Sequence, residues 1–314
     1  MDESHQKNRL STLTPLVYSQ ILYCLRRKNL KFYVVIPAHN EADFIGKTLL
    51  SLINQSLCPA KIVVVDDNST DDTAAIVTNL SKKYPWISLV SNTSSEAHLP
   101  GGKIINAFYK GYESLDSEYD VICKFDADVI FPENYLETLA KHYLNNPRLG
   151  MVAGHCYIEQ NGTWVLENLT SKDHIRGGLK SYRKACFSEI GGLKKSMGWD
   201  TIDELLALYH QWEFETDASL HVKHLKPTGA NYNKGAKHLQ GTALYKMRYG
   251  FVLAFLSALK LSYKKRRIHL FWDYIVGYIK AYNLKEPFLI DADQGAFVRE
   301  YRWKNIKRKF KLLR

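Results

Sequence analysis

The densest chemistry in the chain lies in three short polar clusters, each at the end of an apolar run. Asp126-Ala127-Asp128 follows Val121 to Phe125, Pro37-Ala38-His39-Asn40-Glu41 closes the run that begins at Tyr33, and Asp66-Asp67-Asn68-Ser69 closes the run from Lys61. In an extended chain, residues two apart project to the same side, so Asp126 and Asp128 can face one ion while Ala127 turns away. Hard oxygen donors at that density suit Mg²⁺ or Mn²⁺, which keep water and substrate phosphate as their other ligands. A solvated turn ahead of Pro132 is the plain alternative for a lone Asp-x-Asp. Acids are costly to bury without partners, so their recurrence at run ends argues for a common ligand. Thr70, Asp71 and Asp72 read as a helix start, where acids complement the dipole. Asp66 and Asp67 precede that start and are left to accept hydrogen bonds from a base N–H or a ribose hydroxyl.

Three further stretches carry candidate groups. Gly101-Gly102-Lys103 opens a helical segment, which suits close approach of a phosphate, or a plain turn. In GWDTIDELL, Thr201 and Glu204 have capping-box spacing, which puts Asp203 in the first helical turn as an ionised carboxylate able to take a hydroxyl proton. Trp199 beside it offers a flat face for a sugar ring. His221 and His224 lie on a predicted strand with one expected to be buried and the other turned to the site; His224 is the candidate ligand for metal or phosphate.

The elements that must position these groups alternate. Runs rich in Val and Ile, at Tyr33 to Pro37, Lys61 to Asp66, Trp86 to Val90 and Val121 to Phe125, read as strands buried on both faces. Helical segments fit between them at Asp43 to Gln55, Asp71 to Lys82 and Lys103 to Ser114. This is a doubly wound α/β layout with a mainly parallel sheet, in which ligands bind beyond the carboxyl ends of the strands. Further on, the pattern predicts a helix at Glu133 to Asn145, a strand near Met151 to Ile158 and a helix from about Thr201, with another helix near Leu16 to Arg27.

The 314 residues suffice for one large α/β domain plus an appendage. Of 43 Lys and Arg, 19 lie after residue 230, against 5 of the 32 acidic residues, so 231–314 carries +14 and the rest −3. The asymmetry divides the chain into an N-terminal helical lead (1–30), a core domain (31–230) and a basic helical extension (231–314) that seeks anionic partners. Five widely spaced cysteines with no Cys-x-x-Cys pair argue against a disulfide framework or a zinc site. The amino terminus lacks the basic start and apolar run of a signal peptide, which predicts a cytoplasmic protein. No apolar stretch is long enough to span a bilayer, whereas the segment from Tyr249 to Arg267, ending in Lys264, Lys265, Arg266 and Arg267, suits the surface of an anionic membrane at its inner face.

In order and spacing, VVIPAHNEADFIGKTLLSLINQ, KIVVVDDNSTDDT, FDADVIFPENYLE and GWDTIDELL resemble the inverting family 2 glycosyltransferases of bacteria, which have the GT-A fold. The resemblance covers roughly Lys31 to Gly229 and is specific as a set. It implies that Asp66 or Asp67, with Pro37, Ala38, His39, Asn40 and Glu41, and with Asp126, holds the nucleotide of a nucleotide-diphosphate sugar, while Lys103 is the candidate phosphate contact from its helix start. It places a divalent cation, Mg²⁺ or Mn²⁺, on Asp126 and Asp128, and the acceptor-activating base on Asp203. The family's usual Glu-Asp pair is Ile202-Asp203 here, so Glu204 is the other candidate base. The Gln-x-x-Arg-Trp motif of processive synthases is absent, which favours single transfers to a saccharide or lipid-linked acceptor in cell-surface glycan synthesis.

Two other functional classes fit the sequence less well. A sugar-1-phosphate nucleotidyltransferase would need a glycine-rich, arginine-bearing loop where VVIPAHNE stands. A non-catalytic protein whose basic tail grips RNA or lipid leaves the acidic run ends unexplained, and no nucleic-acid partner is expected because no RNA-binding motif is present.

Overall fold

The structure is a computed structural model that describes residues 30–93, 101–167, 173–226 and 238–311. The helix expected near Leu16 to Arg27 and the boundary expected at 230 lie outside the described residues. The chain forms two compact units, one of residues 1–93, 107–184 and 215–226, the other of residues 94–106, 185–214 and 227–314.

In the first unit the β-branched runs become strands β1 (Phe32–Ala38), β2 (Lys61–Asp67), β3 (Ile87–Asn92) and β4 (Val121–Phe125). They pair in parallel in the order β3-β2-β1-β4, and β1, β2 and β4 are buried almost throughout. Helices α1 (Ala42–Ile53), α2 (Thr73–Lys83) and α3 (Gly102–Tyr112) supply the crossovers. This is the doubly wound arrangement expected from the sequence. Register decides where the polar clusters go: Ala38 lies opposite Asp66, and Val35 opposite Lys124, so β1, β2 and β4 end at one edge.

Beyond β4 the nine-stranded sheet turns antiparallel, through β8 (Leu179–Arg183), β6 (Leu149–Gln160), β9 (Glu213–His224) and β5 (Val129–Ile130), with β7 (Thr163–Leu166) on β6. The strand expected near Met151 and the helix α4 (Tyr135–Asn145) are present within a few residues of their predicted bounds. β8 has no apolar signature because its polar residues are buried and paired. Ser181 is fully buried, lies 2.8 Å from the Tyr143 hydroxyl and donates to the Val152 carbonyl. β5 matters most for function: it leaves directly from Asp128 and sets Val129 opposite His224. Phe125, Phe131 and Tyr135 pack beneath this turn, with ring centroids 4.6 to 6.0 Å apart.

The second unit carries α5 (Lys184–Glu189, continuous with β8), α6 (Trp199–Tyr209), α7 (Leu239–Lys246), α8 (Phe251–Lys264), α9 (His269–Asn283) and α10 (Ala292–Lys311). Ala258, Tyr274 and Ile275 form a buried cluster between α8 and α9, with Leu261, Leu270 and Phe271 packed against it. No helix among the described residues is long and apolar enough to cross a membrane. Cys123, Cys156 and Cys186 are buried free thiols, whereas Cys58 is disulfide-bonded, a pairing that the cysteine spacing did not signal.

Where β6 meets β9 the backbones approach closely, and a Cβ on Gly154 would stand 2.5 Å from the Leu220 carbonyl oxygen. Backbone cannot yield as a side chain can, so Gly154→Ala should lower stability by about 1–3 kcal/mol in urea unfolding. An unchanged midpoint would mean that the two strands separate without cost.

Candidate functional site

The loops after β1 and β2 are stitched together by side chains. Asn40, at a left-handed φ of 54°, donates its backbone N–H to Ser69 Oγ at 2.9 Å, and its side-chain oxygen accepts the Thr70 N–H at 2.8 Å. The Glu41 N–H donates to Thr73 Oγ1 and the Ala42 N–H to Asp71, at 2.8 and 3.0 Å, so the amino ends of α1 and α2 are tied to each other. His39 Nδ1 donates to the Asp67 carbonyl at 2.6 Å, and Asp67 Oδ1 accepts from Asn92 at 2.8 Å. Asp71 works at the helix start as expected, accepting from the Thr73 N–H at 3.0 Å and from its hydroxyl. Asp66 is different: its Oδ1 is buried and has no hydrogen-bond partner among the described residues. A carboxylate oxygen in that position is an acceptor awaiting a donor.

The Asp126-Ala127-Asp128 turn is held from three sides. Buried Thr48 on α1 donates its hydroxyl to the Ala127 carbonyl at 2.7 Å and accepts the Val129 N–H at 3.2 Å. The Asp126 N–H donates to the Gly178 carbonyl at 3.0 Å, and the Asp128 carbonyl accepts the Leu225 N–H at 2.8 Å. A Cβ on Gly178 would run into the Asp126 carboxylate, so the bare backbone there makes room for that acid.

Each acid in this part of the unit has a cation beside it. Lys124, buried to 1% side-chain exposure, pairs with Asp126, whose side chain is 32% exposed. His224 Nε2 lies 3.5 Å from Asp128 and its Nδ1 3.3 Å from Glu167, which also meets Arg176 at 2.8 Å. Lys226 reaches Glu41 at 2.6 Å. Burial opposes ionisation of Asp126, but Lys124, with the charges of His224 and Arg176, outweighs it and holds the carboxyl below its usual range. Burial likewise opposes protonation of His224, yet its bonds to Asp128 and Glu167 raise it to about 9. Burial pushes the Glu41 carboxyl up, against the pull of Lys226. Lys124, Glu167, Arg176 and Lys226 were not singled out in the sequence; the available signal was Lys124, a lone charge inside the apolar run VICKF.

Asp126 and Asp128 fit a hard divalent cation in donor type. No cluster of three His, Cys, Asp or Glu groups that could hold a metal occurs among the described residues. The two carboxylates would thus leave most positions of a cation to water and phosphate, which is how Mg²⁺ is commonly held. His224, the expected ligand, lies between Asp128 and Glu167, 3.5 Å from the first and 3.3 Å from the second. His221 is exposed and lies against Tyr157, with ring centroids 4.2 Å apart.

The remaining candidates belong to the second unit. Lys103 lies in the first turn of α3, as expected. The capping box is not formed: α6 starts at Trp199 behind a left-handed Gly198, and the Thr201 N–H donates to the Gly198 carbonyl at 3.0 Å. Asp203 therefore falls in the second turn, fully buried, and accepts the Glu204 N–H at 2.6 Å. Glu204 is also buried, and Trp199 is only 7% exposed, so most of its indole is engaged in packing.

The sequence model described as "Glycosyl transferase family 2" matches residues 33–192, just over half of the chain. The chain belongs to glycosyl transferase family 2. Among relatives, the probable glycosyltransferase YdaM of Bacillus subtilis is 35% identical over 131 residues, 40% of this chain and 29% of that protein. A Campylobacter jejuni protein named GalNAc(5)-diNAcBac-PP-undecaprenol beta-1,3-glucosyltransferase is 29% identical over 132 residues, 42% of this chain and 40% of that one. The chain thus spans less than half the length of either relative. Among solved structures, mannosyltransferase PcManGT from Pyrobaculum calidifontis, in complex with GDP-Man and Mn²⁺, aligns with a TM-score of 0.52 at 16% identity, covering 98% of this chain and 94% of that one. That likeness establishes the shared GT-A fold. In this family 2 chain the matched region contains the β1, β2 and β4 ends and stops before Trp199, Asp203, Glu204 and His224.

Lys124 and Asp126 should be energetically coupled. Asp126→Asn takes away the carboxylate that faces the buried Lys124 ammonium and should cost about 3–5 kcal/mol. A double-mutant cycle with Lys124→Met should give a coupling of roughly 1 kcal/mol or more in urea unfolding, whereas additivity would show that the pair does not hold the turn.

Proposed function

We propose that this protein transfers a sugar from a nucleotide-diphosphate sugar to an acceptor hydroxyl, with inversion at the anomeric carbon, in the synthesis of a cell-surface or lipid-linked saccharide. The observation that carries the reading is the edge where β1, β2 and β4 end, with the unpartnered Asp66 acceptor and the Asp126-Ala127-Asp128 turn in one unit. In this assignment residues 31–230 are the transferase domain, and 231–314 an extension of it.

Asp66 accepts from the base and Asp67 lies beside the ribose, with Pro37, Ala38, His39, Asn40 and Glu41 forming the loop against them. Lys103 and the amino end of its helix attract phosphate. Asp126 and Asp128 would hold a divalent cation, Mg²⁺ or Mn²⁺; when bound, it supplies charge stabilisation for the departing diphosphate. The Mn²⁺ and GDP-Man in the PcManGT structure support that donor chemistry. Asp203, with Glu204 as the alternative base, takes the acceptor hydroxyl proton while the acceptor oxygen bonds to the anomeric carbon. The bond from that carbon to the diphosphate breaks, and the nucleoside diphosphate leaves with the electron pair. Trp199 is assigned to the acceptor side. A saccharide or lipid-linked acceptor is supported by the undecaprenol-linked acceptor in the name of the C. jejuni relative, and it would place the protein at the cytoplasmic face of a membrane.

Calorimetric titration of UDP, GDP, CMP and dTDP, with and without Mn²⁺, tests the donor assignment. One nucleotide should bind selectively and only with metal, and Asp128→Asn should abolish the metal dependence. Binding of none would overturn the reading, and release of pyrophosphate on turnover would favour a nucleotidyltransferase. Asp203→Asn should lower turnover by about 10²–10⁴-fold while donor affinity stays within error. An equal loss of donor affinity would remove Asp203 from the base role, and the same pair of measurements on Glu204→Gln then decides between the two acids.

A further inference from the structure

Among the described residues, 13 of the 15 exposed large hydrophobic side chains lie between 251 and 288. They are ordered. Phe255, Leu259 and Tyr263 recur every four residues along α8, and Trp272, Val276 and Ile279 follow helical spacing on α9. The opposite faces of the two helices are buried, with Leu253, Ala254 and Ala258 on one and Tyr274, Ile275 and Tyr278 on the other. The outward stripes join where Phe255 meets Phe271 edge-on at 5.2 Å and Phe271 meets Trp272 at 5.1 Å. Trp272 is 64% exposed and Tyr263 86%. A folded hairpin that satisfies its own core on one side has left a second apolar face in water, which marks an interaction surface.

The charge around that face selects the occupant. Residues 251–283 hold six Lys and Arg, four of them consecutive at Lys264, Lys265, Arg266 and Arg267, against Asp273 as the sole acid. A second copy of this chain would bring like charges together, whereas an anionic surface neutralises them. α8 has 14 residues and α9 has 15, so each is about 21–23 Å long, short of the roughly 30 Å needed to span. Exposed Trp and Tyr beside cations are the side chains that settle at a headgroup boundary.

We infer that the α8–α9 hairpin is an interfacial anchor that lies in the plane of an anionic lipid bilayer, with Leu259, Trp272 and Ile279 among the acyl chains and the 264–267 cations on the phosphates. The inference does not rest on the transferase assignment, and its test needs no nucleotide.

The full chain is floated with vesicles of phosphatidylcholine alone, and of phosphatidylcholine mixed with phosphatidylglycerol. The wild type should float with the mixed vesicles only. Lys264→Gln/Arg266→Gln/Arg267→Gln should weaken binding roughly a hundredfold, and Leu259→Ser/Trp272→Ser/Ile279→Ser should abolish it with all cations in place. Brominated lipid should quench wild-type tryptophan fluorescence, and Trp272→Phe, which preserves the fold, should lose that quench. No flotation with anionic vesicles overturns the proposal, as does flotation that survives the serine variant. A dimer in light scattering that Trp272→Ser splits, without flotation, reassigns the face to self-association. Nucleotide titration on the same variants should match wild type, so failure here and failure of the donor assignment are read separately.

Discussion

A carboxylate carried to the end of a buried strand must find a counter-charge or a donor, and the first unit is organised around that requirement. β1, β2 and β4 deliver Glu41, Asp66, Asp67, Asp126 and Asp128 to one edge of a sheet whose interior is Val, Ile and Phe. Lys124, His224 and Lys226 answer three of them, and Arg176 pairs with neighbouring Glu167. The antiparallel half of the sheet exists, in this light, to bring counter-ions: β9 carries His224 to Asp128 through its pairing with β5, and Gly178, just ahead of β8, leaves room for the Asp126 carboxylate. The buried Asp66 Oδ1 has no hydrogen-bond partner among the described residues, and it lies where a nucleotide base is assigned in the proposed function.

The parallel half of this arrangement was legible in the sequence because buried parallel strands write themselves as unbroken β-branched runs, and helices between them keep a period near 3.6. The three acidic clusters were legible for the same reason, being located by the ends of those runs. The antiparallel half was not. β8 reads Leu-Lys-Ser-Tyr-Arg, with Lys180 and Ser181 both buried, and the Ser181 hydroxyl finds its partners in the distant Tyr143 and Val152. Glu167 and Arg176 fall in stretches with no periodicity, so their meeting with His224 is a product of tertiary structure. The start of α6 was misplaced because Thr201 and Glu204 have capping-box spacing by coincidence, while the left-handed Gly198 opens the helix earlier. Trp199 shows the opposite limit: its residue type suggested a ring-stacking platform, and only 7% of its surface is exposed, a degree of burial that residue type does not announce.

The second unit answers a different demand. Its helices α8 and α9 bury one face each, keep Lys264, Lys265, Arg266 and Arg267 exposed, and order their remaining apolar side chains into stripes. Charge and apolar exposure coincide in the same hairpin, a pairing that solubility alone would not select.

The seam between the β1 and β2 loops has a consequence for recognition. Asn40, Glu41 and Ala42 are bound to Ser69, Thr70, Asp71 and Thr73 by the chain's own hydrogen bonds. The conformational entropy of these two loops is therefore lost during folding, and a ligand arriving at Asp66 meets a wall already in shape. If a base docks there as proposed, selectivity would come from mismatch against a rigid template, because no loop at that wall is free to rearrange around misplaced donors.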